Sequence, residues 1–217
     1  MGMPKPTSFY GKDLRAEDQP AGATRTADMY ISADVETDGP IPGPYSMLAF
    51  ALVVAGTFDG RAFRGPGTEA PSFYREIRPI SEAFQAEALA VNRLDRDRLL
   101  HEGAPPEVAM EEARAWVCEV AGSHRPVLVA YPVAFDWTWL YWYFTRYTRD
   151  GSPFGFSSCY DIKTMIAVKR RSLLIEANKR SLPGEVRSCL RHTHYALDDA
   201  REQAELFANL FDWKPNS

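Results

Sequence analysis

The order in which strand-type and helix-type segments follow one another is the strongest constraint on what this chain can fold into. Residues 30–36 read as a strand, and Met47 to Ala55 is a nearly continuous apolar run of strand length. Ala62-Phe63 begins a third strand, and residues 73–80 alternate well enough for a fourth. Asp38-Gly39-Pro40, Pro42-Gly43-Pro44 and Asp59-Gly60 punctuate the early segments, so the domain opens as an antiparallel meander. The texture then changes. Residues 81–100 and 105–120 read as helices, the second with Ala109, Ala113, Trp116, Val117 and Val120 on one face. Residues 126–131 supply an apolar strand fit for a central position, followed by an aromatic-rich helix over 135–147. Residues 159–162 read as a short edge strand or turn, and 195–211 as a closing amphipathic helix. Strands first, then alternating helix and strand, imply an α/β fold: a mixed sheet, antiparallel meander plus parallel strands, flanked by helices.

With 217 residues the chain is long enough for one well-buried domain and short for two. That domain begins at about residue 28. Residues 1–27 are polar, carry Pro4, Pro6 and Pro20, show no sustained period, and read as a flexible extension. No apolar run reaches the ~20 residues that span a bilayer, and Lys5, Lys12, Arg15 and Asp18 occupy the N-terminus without an apolar leader segment. Three widely spaced cysteines fit free thiols in a reducing, cytoplasmic setting better than a disulfide framework. A formal charge of −4 argues against a protein that coats nucleic acid through bulk positive charge. It leaves room for an enzyme that holds one strand end, because carboxylates that bind cations offset their own charge toward a phosphate.

Residues two apart on a strand share a face, so Asp34 and Glu36 present carboxylates side by side while Ala33 and Val35 point the other way. Like charges that close repel unless a hard divalent cation sits beside them; the alternative is a solvated edge strand with two harmless acids. Asp136 stands at the entry to a helix, where it either caps the helix or points into a cleft above the sheet. His194 and Asp199 lie five apart with Ala196 between, where the last helix begins; His192 and Asp198 are rivals of the same type. A neighbouring carboxylate raises a histidine pKa and burial or a metal lowers it, a balance that suits His194 as a general base acting on water. Assembled, these residues describe displacement at a phosphodiester assisted by two divalent cations, Mg²⁺ or Mn²⁺, with Asp34 as the best candidate to touch both.

In this order the residues resemble the DEDD exonuclease superfamily in its histidine-bearing (DEDDh) branch, which includes ribonuclease T, oligoribonuclease and the polymerase proofreading subunit. The likeness rests on Asp34-x-Glu36 with Thr37 and Gly39, on Phe135-Asp136 with Leu140, and on His194-x-Ala196-x-x-Asp199-Ala200. Arg78-Pro79-Ile80 and the run Glu87 to Asn92 add to it, so that it spans roughly residues 29–213. The resemblance implies a ribonuclease H-like fold and 3′-to-5′ exonuclease activity, with Asp34, Glu36, Asp136 and Asp199 as metal ligands. It also selects His194 as the base over His192, and Asp199 over Asp198. The chain departs from the pattern at Ala130-Tyr131-Pro132, where many relatives carry His-Asn, and at Asp38, where a second threonine is common.

The expected partner is the 3′ end of a single-stranded DNA or RNA. Lys169, Arg170, Arg171, Lys179, Arg180, Arg187 and Arg191 form a basic stretch that is either a phosphate track or a solvated surface. Aromatic residues of 135–147 offer stacking surface, although Trp137, Tyr141 and Phe144 recur at helical spacing and should face inward. Thr37, Met47 and Leu48 follow the first acidic pair closely enough to abut a terminal nucleotide; the last two serve equally well as sheet core. Two further functions compete: a catalytically silent nucleic-acid-binding or polymerase-associated module, and a small-nucleotide phosphodiesterase. A two-fold homodimer is the general expectation for assembly.

Overall fold

The computed structural model describes residues 27–67 and 69–215. The extension expected over 1–27 lies, except for Ala27, outside the described residues. Four strands come first: β1 (Asp28–Thr37), β2 (Met47–Phe58), β3 (Phe63–Arg64) and β4 (Ser72–Glu76). Helices α1 (Ala86–Asn92), α2 (Arg96–Glu102) and α3 (Pro106–Ala121) follow, then β5 (Arg125–Ala130) and α4 (Val133–Tyr147). The described chain closes with β6 (Cys159–Asp161), α5 (Ile162–Arg170) and α6 (Ala196–Phe211). The strands form one sheet in the order β3-β2-β1-β5-β6, with β4 also paired to β2. β1 and β2 are antiparallel, whereas β1, β5 and β6 run parallel. The mixed sheet expected from the element order is therefore what forms.

Both faces are covered, which explains the uninterrupted apolar run of β2. Phe50, Leu52 and Val54 pack with Met29, Ile31, Ala33 and Val35 beneath α3 and α4, while Ala51, Val53 and Ala55 meet α5 and α6 on the other face. Burial of this extent, at about 25 cal/mol per Å² of apolar surface, is the main force holding the layers together. Asp34 and Glu36 lie on the α6 side of β1. Their antiparallel partners are Ala51 and Ala49, and α6 brings Ala196 and Ala200 to the same layer; these small side chains leave room for acids that a Leu or Phe would displace.

Three expectations need correction. The helix expected over 81–100 is two short helices, because Arg93 adopts a left-handed conformation (φ 59°) and Asp95 caps α2 by accepting from Arg98 N. The break has a use, since buried Asn92 turns its amide to Thr37 O at 3.0 Å and fastens the end of β1. The fourth strand ends at Glu76, where Ile77 bridges to Ala104 instead of continuing. The inward stripe of α4 is Asp136, Trp139, Leu140, Tyr143 and Phe144, not one led by Trp137 and Tyr141; those two stack on each other at 4.9 Å, half-buried. An acid begins the buried stripe, so a reading by hydrophobicity alone placed its phase one residue late.

Candidate active site

Pairing between β1 and β5 stops at Ser32 opposite Val129, and beyond it the edge of β1 lies open. Helix α4 starts there and brings in Asp136, whose Oδ1 accepts a hydrogen bond from Val35 N at 3.1 Å. Asp136 thus stands in for the missing strand while it reaches the neighbourhood of Asp34 and Glu36. From the other side, the first turn of α6 buries Asp199 completely. Thr193 N donates to its Oδ1 (2.7 Å) and His194 N to its Oδ2 (2.9 Å), and His192 Nδ1 lies 3.0 Å from Oδ2. Asp198 is more exposed and, among the described residues, accepts only from the Thr193 hydroxyl at 3.2 Å, so the fold itself separates the two neighbouring acids.

The electrostatics record the crowding. Burial, then Asp136, Glu36 and Asp199, hold the Asp34 carboxyl well above the usual carboxylate range, with Lys179 opposing them. Glu36 is pushed up to about 8 by burial and by the charges of Asp199 and Asp136. Burial raises Asp136 to about 7 although Val35 N pulls the other way. Oxygens of Asp34, Glu36 and Asp199 lie within 4.8 Å of one another. Acids that fold together at this cost call for a compensating cation, and an all-oxygen donor set suits hard divalent ions. One buried acceptor also lacks a partner: Gln203, one turn after Asp199, donates from Nε2 to Asp34 Oδ1 at 2.9 Å while its own Oε1 is unpaired.

A cleft of about 720 Å³ opens above these groups, lined by Asp34, Tyr131, Asn178, Lys179, Arg180, His192, Glu202 and Gln203. Of the basic stretch, only Lys179 and Arg180 reach its wall. Lys179 pairs with Glu202 and lies 5.0 Å over the Tyr131 ring, which occupies the place where the sequence pattern departs from its relatives. Lys169 instead donates to Phe211 O (2.9 Å) and Trp213 O (2.7 Å) and caps α6; Arg170 bonds Ser181, and Arg171 ends α5 in a left-handed turn. Met47 and Leu48 have no exposed surface, so neither can abut a nucleotide. Thr37 spends its hydroxyl on Gly39 O at 2.9 Å. His194 is exposed, with φ 59° and its ring 4.4 Å from that of His192. Gln203 and Glu202 escaped the sequence reading, yet spacings of four and three from Asp199 place both on the same helix face.

The family model described as the 3′-5′ exoribonuclease Rv2179c-like domain matches residues 63–211. The chain belongs to that family. It is a 3′-to-5′ exonuclease, in agreement with the DEDDh resemblance of its motifs. It is 34% identical over 181 residues to the 3′-5′ DNA exonuclease Cap18 of Escherichia coli, a match covering 83% of this chain and 90% of that protein. Among solved structures, a zinc-bound form of E. coli ExoI in complex with single-stranded DNA superposes with a TM-score of 0.56 at 16% identity, over 87% of this chain and 42% of that one. A 3′-exonuclease recognising the histone mRNA stem-loop gives 0.62 at 10% identity, over 86% and 82%. These likenesses show the ribonuclease H-like fold. The chain spans less than half the length of the ExoI chain it matches.

Proposed function

We propose that this Rv2179c-like exonuclease removes nucleotides one at a time from the 3′ end of single-stranded nucleic acid. In this reading Asp34, Glu36, Asp136 and Asp199 hold two divalent cations, Mg²⁺ or Mn²⁺, and His194 is the general base. The observation that carries it is the crowding of four carboxylates from β1, α4 and α6 around Asp34, which lines the cleft, three of them held above the usual carboxylate range. Bound there, the cations supply charge that offsets the phosphate and makes the attacking water more acidic. The chain supplies orientation. Gln203 fixes Asp34 through Oδ1 and leaves Oδ2 free of that bond, Val35 N fixes Asp136, and Thr193 N and His194 N fix Asp199. His194 takes the proton of the water; the water oxygen forms a bond to phosphorus as the bond to the 3′ oxygen of the preceding nucleotide breaks, that oxygen gains a proton from solvent to become a 3′-hydroxyl, and a nucleoside 5′-monophosphate is released. Lys179 and Arg180, on the cleft wall, contact backbone phosphates and position the strand without reading its sequence.

Cap18, matched along nine-tenths of its length, is named a DNA exonuclease, which favours DNA; the family description favours RNA. Cys118, Cys159 and Cys189 are free thiols, in keeping with a reducing, cytoplasmic setting. Purified protein with Mg²⁺ or Mn²⁺ is expected to shorten a 5′-labelled single strand stepwise, and Asp34→Ala to abolish this with the fold intact. Matched DNA and RNA strands in the same assay decide the sugar preference. Label in internal fragments, or no digestion of either polymer, refutes the reading.

A further inference from the structure

The mechanism leaves His192 without a role, yet among the described residues it is the one whose ring reaches the buried carboxylate of Asp199. The turn His192-Thr193-His194 folds back over the start of α6, with the left-handed backbone at His194 setting the two rings nearly perpendicular, 74° apart. One nitrogen from each ring and one oxygen of Asp199 lie within 4.8 Å of one another. Asp199 therefore belongs to two groups of potential ligands. The first, with Asp34 and Glu36, is all oxygen; the second, with His192 and His194, offers two imidazole nitrogens and one oxygen. Donor chemistry separates them, because Mg²⁺ seeks carboxylate and water whereas Zn²⁺ and similar borderline ions favour imidazole.

We propose that His192, His194 and Asp199 form a site for a zinc-class cation, and that filling it inhibits the enzyme by withdrawing Asp199 and His194 from the catalytic arrangement. The inhibitory half rests on the function proposed above; the metal site does not. The cation takes a lone pair of Asp199 Oδ2, which lies 3.0 Å from His192 Nδ1, and any proton on a ligating nitrogen leaves to solvent. The backbone N–H groups of Thr193 and His194 keep the carboxylate oriented, the support that ligating carboxylates require. Both rings are exposed, so closing from the present spacing to the roughly 3.3 Å between ligands of a tetrahedral shell needs only side-chain rotation, with water in the remaining position.

The test is a zinc titration against a chromophoric chelator, with X-ray absorption at the zinc edge, on Asp34→Asn, which weakens the all-oxygen group and leaves the imidazole pair intact. One zinc with two imidazole ligands is expected in that variant, and adding His192→Gln should weaken binding at least about tenfold. His192 is about half exposed, and a thermal melt confirms that the double variant folds. In the otherwise unaltered protein, zinc should slow Mg²⁺-supported digestion, and His192→Gln should raise the zinc needed for half-inhibition by about the same factor, judged against each variant's own zinc-free rate. Oxygen-only coordination in Asp34→Asn, or unchanged affinity after His192→Gln, overturns the proposal. Absence of digestion in every sample sinks the exonuclease reading instead and leaves the zinc titration to be judged alone.

Discussion

Glu36→Gln should make the metal-free protein more stable while disabling it, and the size of the gain follows from the site. Burial and the charges of Asp199 and Asp136 lift the Glu36 carboxyl from 4.5 to about 8. Below the lower value both folded and unfolded chains hold the proton, and the group contributes nothing. As pH rises from 4.5 toward 8 the unfolded chain releases the proton first, so the metal-free fold loses stability through that window. At pH 8 the difference is worth at most about 4–5 kcal/mol, and water and counter-ions reaching a partly exposed carboxyl reduce it to about 2–3 kcal/mol. Glutamine has the same shape and no charge. At roughly 2–4 °C per kcal/mol for a chain of this size, Glu36→Gln should melt about 4–12 °C above its parent in chelator at pH 8, the two converging near pH 4.5. Saturating Mg²⁺ should stabilise the parent more than the variant, which lacks one carboxylate of the proposed ligand set. Circular-dichroism melts across this range, with chelator and with Mg²⁺, make the comparison. Equal melting at every pH, or a variant less stable at pH 8, would refute the account of the site as a set of crowded, buried acids.

Other substitutions probe separate parts. His194→Ala should lower kcat by about 10²–10⁴ with little change in melting temperature, measured by single-turnover digestion beside a thermal melt. Gln203→Leu removes the bond that orients Asp34 and should raise the Mg²⁺ concentration for half-maximal rate by about 10–100-fold, read from a metal titration of activity. Asp38→Ala strands the buried Arg96 guanidinium, 2.9 Å from Asp38 Oδ2, and should cost about 3–5 kcal/mol in urea unfolding.

Much of this was legible in the chain because it depends on local periodicity. The i, i+2 rule puts Asp34 and Glu36 on one face, and the change from strand to helix patterns gives the mixed sheet. What escaped depends on contacts distant in sequence. Nothing local says that Arg93 breaks a helix so that Asn92 can hold Thr37, 55 residues earlier. The basic stretch looked uniform, but its members divide among a helix cap, a turn and the cleft wall only once α5, α6 and the connection between them pack together. Met47 and Leu48 were placed beside the acids by sequence distance, and the sheet then buried them. The phase error on α4 has the same root: Asp136 is buried because it serves another element's backbone, and no hydrophobicity scale credits a carboxylate with that.

That service carries a topological consequence. The cleft exists because two neighbouring parallel strands part company after Ser32 and Val129. Had β5 continued beside β1, the Val35 peptide group now facing Asp136 would have been zipped into the ladder and the ground occupied by the crowded acids filled with backbone. The candidate active site is in this sense a deliberate flaw in the sheet, held open by a side chain that imitates a strand. Lengthening β5 by two residues should therefore improve the sheet and abolish the enzyme.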